Sequence, residues 1–236
     1  PALGKDDISA LQSENISLYG ATDDLDGTVD FLVMALKPQI MTRACEGIKH
    51  LADGKTAILS IAAGKTIDSF TQIFGPEQPV IRTMPNTPSA IGKGAIAGFA
   101  NKNISDNQKD IANTLLEPLG LFKWVEKESH LDADTALSGS GPAYVFLFME
   151  ALRDAAVTQG LPESLASSFA SQTVLGAAEL ASRPPEISLE KLRQSVTSPG
   201  GTTEAALKIL MNSDRLKSLV EEAMTAAKDR SEKLSE

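Results

Sequence analysis

The sequence has few residues of the types that form cross-links or bind metals. Its 236 residues include one cysteine, Cys45, and two histidines, His50 and His130. A single cysteine excludes a disulfide framework or a thiolate cluster within the chain, and it is typical of a reducing, cytoplasmic compartment. Two histidines are too few for a histidine-rich metal site, so we expect no bound metal.

Basic residues and long apolar runs are also scarce. Lys and Arg total 22 against 31 Asp and Glu, which gives a formal net charge of -9. This charge argues against a nucleic acid or an anionic membrane as partner. The longest fully apolar run, from Ala143 to Met149, is far too short to span a bilayer.

In the first half of the chain, short apolar segments alternate with segments of helical period. The predicted strands are 31–36, 56–62, 79–84, 94–100 and 121–126, and the predicted helices between them are 38–52, 66–74 and 106–119. Apolar runs without clean alternation are typical of strands buried on both faces of a parallel sheet. We therefore expect an open α/β sheet covered by helices, with ligands beyond the carboxyl ends of its strands.

After residue 128 the strand-like runs end and alanine becomes frequent. The predicted helices are 142–159, 162–182, 189–196, 203–212 and 214–234. The first of them is apolar around much of its circumference near Val145 to Met149. Such a helix must be buried, and a helical domain of this size offers little cover, so we expect it to lie in a dimer interface.

Three segments at predicted strand ends are candidates for a ligand site: Ala35-Leu36-Lys37-Pro38, Ala62-Ala63-Gly64 and Met84-Pro85-Asn86-Thr87-Pro88. Two prolines fix the backbone around Asn86 and Thr87, which holds these side chains rigidly beyond a strand. From the residues alone, this loop could be functional or merely stiff. Lys37 could be catalytic, but a lysine after a buried strand is more often a solvated cap. Glu126 and Glu128 are expected to be solvated.

The segment Gly139-Ser140-Gly141 superficially resembles a dinucleotide-binding glycine turn. That interpretation requires a buried strand before the glycines, whereas "HLDADTA" is polar and a helix follows. We therefore exclude it. Two alternatives stay open: a close approach of loop to helix with Ser140 as a cap, and a role in the substrate site.

The segment "SVTSPGGTTEAAL", residues 195–207, places Pro199, Gly200, Gly201, Thr202 and Thr203 at the start of a predicted helix. Helix amino ends present unpaired N–H groups and a partial positive charge, so they bind carboxylates and phosphates without Arg or Lys. Glycines let a ligand approach the backbone closely. An ordinary helix cap needs only one Ser or Thr, so the excess favours a small-anion site.

The segment "PPEISLEKLRQSVTSPGGTTEAALKIL" closely resembles the signature of pyrroline-5-carboxylate reductases. The resemblance extends to "MALKPQI", "SIAAGKTI", "VIRTMPNTP" and "LSGSGPAYVF", each in the family's order, and covers essentially the whole chain. The family's first strand, glycine-rich turn, helix and second strand have no counterpart, so we expect an amino-terminally truncated chain.

The resemblance implies an enzyme that uses NADPH or NADH to reduce 1-pyrroline-5-carboxylate to L-proline, the last step of proline synthesis. It implies a Rossmann-type dinucleotide-binding domain, incomplete here, over residues 1–128. Residues 129–236 would form an all-α substrate-binding and dimerisation domain similar to the carboxyl-terminal domain of 6-phosphogluconate dehydrogenase. Family members form interlocked homodimers, which often assemble into decamers.

The resemblance also assigns site residues by position. Thr203 would be catalytic, with its hydroxyl near the ring nitrogen of the substrate. The substrate-binding residues would be Glu128, Ser198, Gly200, Gly201, Thr202 and Thr203. The cofactor-binding residues would be Thr22, Ala35, Leu36, Lys37, Pro38, Ala62, Ala63, Gly64, Asn86, Thr87 and Pro88. Two rival hypotheses remain: a related hydroxyacid-type dehydrogenase, and a homologue that assembles without catalysing the reaction.

Overall fold

Five strands in the described part of the chain form one sheet. The computed structural model describes residues 11, 13, 14, 16–184 and 187–235. The strands are β1 (Phe31–Met34), β2 (Ala57–Ser60), β3 (Val80–Met84), β4 (Gly94–Ala100) and β5 (Gly120–Trp124). They lie in the order β1-β2-β3-β4-β5. Each of the five predicted strands is thus confirmed.

The sheet is mixed, which corrects the expectation of a parallel one. β1, β2 and β3 are parallel, β4 runs antiparallel to β3, and β5 is parallel to β4. The link between β3 and β4 holds only a short 3-10 helix, Thr87–Ile91. A parallel crossover needs a dozen or more residues, so a connection this short returns the chain in the opposite direction.

Helices cover both faces of the sheet, as predicted. They are α1 (Pro38–Gly47), α2 (Ile67–Phe74) and α3 (Asp106–Leu116). The consecutive residues Ile58 and Leu59 of β2 are both buried and belong to different core clusters, because successive strand residues point to opposite faces. Ile58 packs in a cluster with Met41, Cys45 and Phe70, from α1 and α2. Leu59 packs in a cluster with Ala112 and Leu116, from α3.

The second half of the chain is helical in its described residues. The helices are α4 (His130–Asp134), α5 (Gly141–Thr158), α6 (Glu163–Ala181), α7 (Leu189–Ser195), α8 (Thr202–Leu210) and α9 (Arg215–Ser235). The five helices predicted for this region are confirmed, with ends within two residues of the expected positions. α4 and the π-helical turn after it, Thr135–Gly139, were not predicted.

The chain divides into two compact units. The sheet unit contains the described residues up to Pro85, together with Ser89–Leu131 and the chain from Glu232 onward. The helical unit contains Asn86–Pro88 and Asp132–Ser231. The loop that follows β3 is therefore part of the helical unit, and the last turn of α9 is part of the sheet unit.

The helical unit leaves much apolar surface uncovered in a single chain. None of the described residues of α5 is buried, and Leu147, near its middle, is 66% exposed. The buried residues of α6 are the small side chains of Ala166 and Ala170. Among the described residues, no helix has both the length and the apolarity to cross a bilayer.

Candidate functional site

Two of the predicted cofactor segments follow neighbouring parallel strands. Ala35–Pro38 comes after β1 and Ala62–Gly64 comes after β2, so both lie at the carboxyl edge of the sheet. Lys37 is exposed and occupies the N-cap position of α1, and Pro38 is the first residue of that helix. Ala35 and Leu36 are also exposed. This edge is where ligands bind in open α/β sheets.

Gly64 is buried and has a φ of +69°. A Cβ at this position would lie 2.8 Å from both the Cβ and the carbonyl oxygen of Leu234, in the last turn of α9. The glycine is therefore required by its positive φ and by the close approach of α9. The backbone of this loop packs against the last turn of α9.

Thr22 lies in a 3-10 turn, Thr22–Asp24, and is exposed. A Cβ on Gly47, at the end of α1, would lie 4.0 Å from its hydroxyl oxygen. Thr22 is thus beside α1 within the sheet unit. The structure places it on the surface, where a ligand could reach its hydroxyl.

Glu128 is partly buried and paired, which corrects the expectation that it is solvated. Its Oε1 accepts a hydrogen bond of 2.6 Å from Nη1 of Arg82 and one of 2.8 Å from the backbone N–H of Ile67. Arg82 belongs to β3, and Ile67 is the first residue of α2. Glu126, two residues earlier, is exposed as expected.

Asn86 is held by the π-helical turn of the helical unit. Its Nδ2 donates a hydrogen bond of 2.9 Å to the carbonyl oxygen of Ser138. Thr87 and Pro88 begin the 3-10 helix that follows, and Thr87 is exposed. The rigidity expected from the flanking prolines is thus supplemented by a hydrogen bond to a residue 52 positions away.

Buried polar atoms accumulate around this turn. In the described residues, Oδ2 of Asp134, Oγ of Ser138 and the hydroxyl of Tyr144 are buried without a hydrogen-bond partner of good geometry. Burial raises the pKa of the Asp134 carboxyl, and the nearby Ser138 hydroxyl partly counteracts this effect. Single π-helical turns occur frequently at functional sites.

The structure also tests the interpretations of the segment Gly139-Ser140-Gly141. The residues before these glycines, Thr135–Gly139, are helical, so the exclusion of a dinucleotide-binding turn is confirmed. Ser140 occupies the N-cap position of α5, but its side chain makes no capping hydrogen bond. Of the two alternatives left open for this segment, the one in which Ser140 caps the helix is therefore wrong.

The loop from Ser198 to Thr203 leads into α8. Gly201 is the N-cap residue, so no side chain caps the helix at that position. Thr202 and Thr203 are the first two helical residues. The first N–H groups of a helix have no partner within the helix. With no capping side chain, these groups can serve a ligand.

Both glycines of this loop have a structural reason. Gly200 is exposed and has a φ of +71°, which favours glycine. A Cβ on Gly201 would lie 2.6 Å from the hydroxyl oxygen of Ser198, and the N–H of Gly201 donates to the carbonyl oxygen of Ser198 at 3.1 Å. The turn is therefore tight, and the N–H of the exposed Gly200 donates to Oε2 of Glu204 at 2.6 Å.

Each unit contains part of the predicted site. The sheet unit holds Thr22, Glu128 and the two segments after β1 and β2, and the helical unit holds Asn86–Pro88 and Ser198–Thr203.

Sequence reasoning missed Arg82 and Asp134. Arg82 could have been found, because a charge inside the apolar segment "PVIRTM" requires a buried partner.

A cavity of about 740 Å³ lies elsewhere in the helical unit. Its lining comes mainly from α9 and also includes Leu210, Met211 and Ala136. None of the predicted site residues lines it. The cavity is therefore separate from the loop at the start of α8.

The fold and site define a class of protein. A sheet with two loops at its carboxyl edge, followed by a helical unit in which α8 begins without a capping side chain, is compatible with a two-domain dinucleotide-dependent oxidoreductase. The model for the family described as pyrroline-5-carboxylate reductase dimerisation matches residues 128–234.

Known proteins give the same result over most of the chain. A pyrroline-5-carboxylate reductase of Pseudomonas aeruginosa is 42% identical over 207 residues, which cover 88% of this chain and 75% of that protein. The solved structure of a Coxiella burnetii pyrroline-5-carboxylate reductase is 38% identical, with a TM-score of 0.89 over 99% of this chain and 86% of that one. A Plasmodium falciparum pyrroline carboxylate reductase, crystallised with NADP bound, is 31% identical, with a TM-score of 0.83 over 94% and 83% of the two chains.

The chain belongs to the pyrroline-5-carboxylate reductase family. This result confirms the resemblance found in the sequence and the expected Rossmann-type α/β sheet with a helical dimerisation region. A hydroxyacid-type dehydrogenase would carry a catalytic lysine on its long interdomain helix. The helix α5, Gly141–Thr158, contains no lysine.

Proposed function

We propose that this protein is a pyrroline-5-carboxylate reductase, which uses NADPH or NADH to reduce 1-pyrroline-5-carboxylate to L-proline. The reaction is inferred from membership of the family. The substrate site is inferred from the loop Ser198–Thr203 at the start of α8. The product has one carboxylate and one ring nitrogen. A site for it must therefore neutralise one small anion and orient one ring.

The carboxylate of the substrate would bind at the amino end of α8. The geometry that supports this assignment is an N-cap glycine without a capping side chain, preceded by the exposed Gly200. The backbone N–H groups and the helix dipole supply partial positive charge there. Ser198 and Thr202 are exposed and would add hydroxyl donors. This site needs no lysine or arginine.

Thr203 would be the catalytic residue. It is the second residue of α8 and is partly buried, so its hydroxyl is restrained by the helix rather than by a flexible loop. We assign its hydroxyl to a hydrogen bond with the ring nitrogen. A protonated cyclic imine already accepts hydride readily, so the enzyme needs mainly to orient the ring rather than to supply a strong base.

The residues at the carboxyl edge of the sheet fit a nicotinamide cofactor. Ala35 is exposed and Ala63 is partly buried, whereas Ala62 and Gly64 are buried, so the loop after β1 presents the more accessible backbone of the two. We assign Thr22, Ala35–Pro38 and Ala62–Gly64, with Asn86–Pro88, to cofactor binding. The cofactor supplies the hydride when bound, whereas these residues hold and orient it.

We further propose the organisation of the chain. Residues 1–128 would be the dinucleotide-binding domain and residues 129–236 the helical substrate-binding and dimerisation domain. The division into two units lies close to this boundary, between Leu131 and Asp132, with Asn86–Pro88 assigned to the helical unit and the last turn of α9 to the sheet unit. The exposed apolar residues of α5 support homodimers, and we extend the family's decameric assembly to this chain as a proposal. The unpaired, buried Cys45 supports a cytoplasmic location.

A spectrophotometric assay tests the proposed function. Oxidation of NADPH or NADH is followed at increasing concentrations of pyrroline-5-carboxylate, with the protein in its full natural length. We expect saturable turnover that depends on both compounds and yields proline. A protein that binds the cofactor but forms no proline would contradict the proposal and would favour a homologue that assembles without catalysing the reaction.

A further inference from the structure

Arg82 places a positive charge inside the sheet. It lies in β3, and its side chain is 7% exposed. A buried guanidinium is costly unless it is paired and hydrogen-bonded. Its described ion-pair partner is Glu128, at 2.6 Å between Nη1 and Oε1. The pair joins β3 to the segment that follows β5.

The same carboxylate oxygen also holds the start of α2. Oε1 of Glu128 accepts from the N–H of Ile67 at 2.8 Å, while the hydroxyl of Thr66 accepts from the N–H of Ser69 at 3.2 Å. Two of the otherwise unpaired N–H groups at this helix end are therefore satisfied by side chains. One of these side chains comes from a residue 61 positions away.

The loop between β2 and α2 is thus restrained at two points. Glu128 fixes Ile67, and the last turn of α9 fixes Gly64, where a Cβ would lie 2.8 Å from the carbonyl oxygen of Leu234. This loop contains Ala62–Gly64, the segment assigned above to the cofactor. Its position depends on a carboxylate whose charge Arg82 compensates.

We propose that Glu128 is a positioning residue, which holds the loop Ala62–Ile67 for the cofactor through its bonds to Arg82 and to the N–H of Ile67. The inference rests on the proposed function. It gives Glu128 a role other than the direct substrate binding that the resemblance implies. The geometry favours positioning, because Oε1 already accepts two hydrogen bonds and Arg82 compensates the charge of the carboxylate.

Two variants and a matched control test this proposal. Glu128→Ala removes both hydrogen bonds. Because it leaves the Arg82 charge buried and unpaired, it could fail to fold. The double variant Arg82→Met, Glu128→Leu removes the charge and the carboxylate together and keeps the region filled. Glu126→Ala deletes the same type of side chain from the exposed surface two residues away.

Two measurements are made on the full-length chain. Hydrogen–deuterium exchange is followed in the peptides that cover residues 62–70, and KM is measured separately for NADPH and for pyrroline-5-carboxylate. We expect both Glu128 variants to exchange faster in these peptides and to raise KM for NADPH about tenfold. KM for the imine should stay within about twofold, and Glu126→Ala should resemble the unmodified chain.

Other outcomes overturn the inference. Unchanged exchange over residues 62–70 in the double variant would show that Glu128 does not hold this loop. A rise in KM for the imine alone would return Glu128 to the substrate site. An unmodified chain that oxidises no NADPH would contradict the proposed function instead, and the exchange result would still show whether Glu128 positions the loop.

Discussion

The backbone N–H of Gly200 donates a hydrogen bond of 2.6 Å to Oε2 of Glu204. Oε1 of the same carboxylate lies 3.4 Å from Nζ of Lys208, one turn further along α8. The side-chain carboxylate of Glu204 therefore accepts a hydrogen bond from the loop Ser198–Thr203. We place the carboxylate of the substrate at this same loop. The two anions would compete for the same partial positive charge.

We predict that Glu204→Gln strengthens binding of L-proline and lowers KM for pyrroline-5-carboxylate. The amide side chain keeps an oxygen for the N–H of Gly200 but removes a negative charge beside the incoming carboxylate. Charge interactions at such exposed positions are modest, so we expect a change of about twofold to fivefold. Isothermal titration calorimetry with proline measures it. Glu179→Gln, on the exposed surface of α6, is the control, and an equal effect in both variants would contradict the prediction.

We predict that the stability of the protein depends on the backbone conformation of Gly200. Its φ is +71°, and a Cβ at this position would meet no atom within 4 Å, so Gly200→Ala introduces strain without a clash. We expect a loss of about 1 kcal/mol in the free energy of unfolding. Gly200→Asn should lose less, because asparagine tolerates this region better. Urea denaturation of both variants measures the difference, and equal losses would show that conformation is not the reason for the glycine.

The sequence predicted the elements well but not all of their directions. Apolar runs such as "TAILSIA" and "GAIAGFA" located the strands, because burial on both faces leaves a compositional signal. β4 runs antiparallel to β3 because the link after Met84 is short. The link predicts this direction only when it is known that β4 pairs with β3. Pairing is a long-range property that a local pattern does not contain.

For a similar reason, the sequence predicted the glycines of the candidate site but not the hydrogen bonds of Glu128. Gly200 and Gly201 were found because a helix mouth rich in glycine is visible in consecutive residues. The bonds of Glu128 to Arg82 and Ile67 join residues that are 46 and 61 positions apart. From its neighbours in the chain, Glu128 is indistinguishable from the exposed Glu126.

The hydroxyl of Thr203 is predicted to act on the substrate and not on the cofactor. Thr203→Ala should lower kcat with the imine by about tenfold or more, the loss expected for one hydrogen bond to a charged group. The Kd for NADPH should stay within about twofold. Thr203→Ser keeps the hydroxyl and should recover most of the activity. Steady-state kinetics and cofactor fluorescence titration give both quantities, and equal losses in both would refute the assignment.

The apolar surface of α5 is predicted to lie in the subunit interface. Leu147→Glu would place a charge there and should shift the sedimentation coefficient to that of a smaller species. Leu121→Glu is a matched control, because Leu121 in the edge strand β5 is 62% exposed against 66% for Leu147. Analytical ultracentrifugation compares the two variants. A parent protein that is monomeric at all concentrations would contradict the prediction.

Asp134 is predicted to make stability depend on pH. Burial raises the pKa of its carboxyl in the folded chain, so the folded state keeps a proton that the unfolded state releases. Its contribution is greatest below the unfolded pKa of about 3.9 and is lost as the pH rises through the raised value. Asp134→Asn removes this dependence. We expect its Tm relative to the parent to increase between about pH 4 and about pH 7.

Asp110→Asn, at an exposed position on α3, is the control for this experiment. Its Tm relative to the parent should change little over the same pH interval. If the Asp134 variant behaves like this control, the carboxyl of Asp134 does not titrate differently in the folded and unfolded states.

The location of the bound carboxylate can be observed directly by NMR of glycine amides. The full-length protein is labelled with ¹⁵N at its glycines and titrated with L-proline in the presence of NADP. We predict that the signals of Gly200 and Gly201 shift with saturation, whereas those of Gly54 and Gly75 in the sheet unit do not. Saturable proline binding that shifts other glycines and leaves Gly200 and Gly201 unchanged would contradict the site proposed at the start of α8.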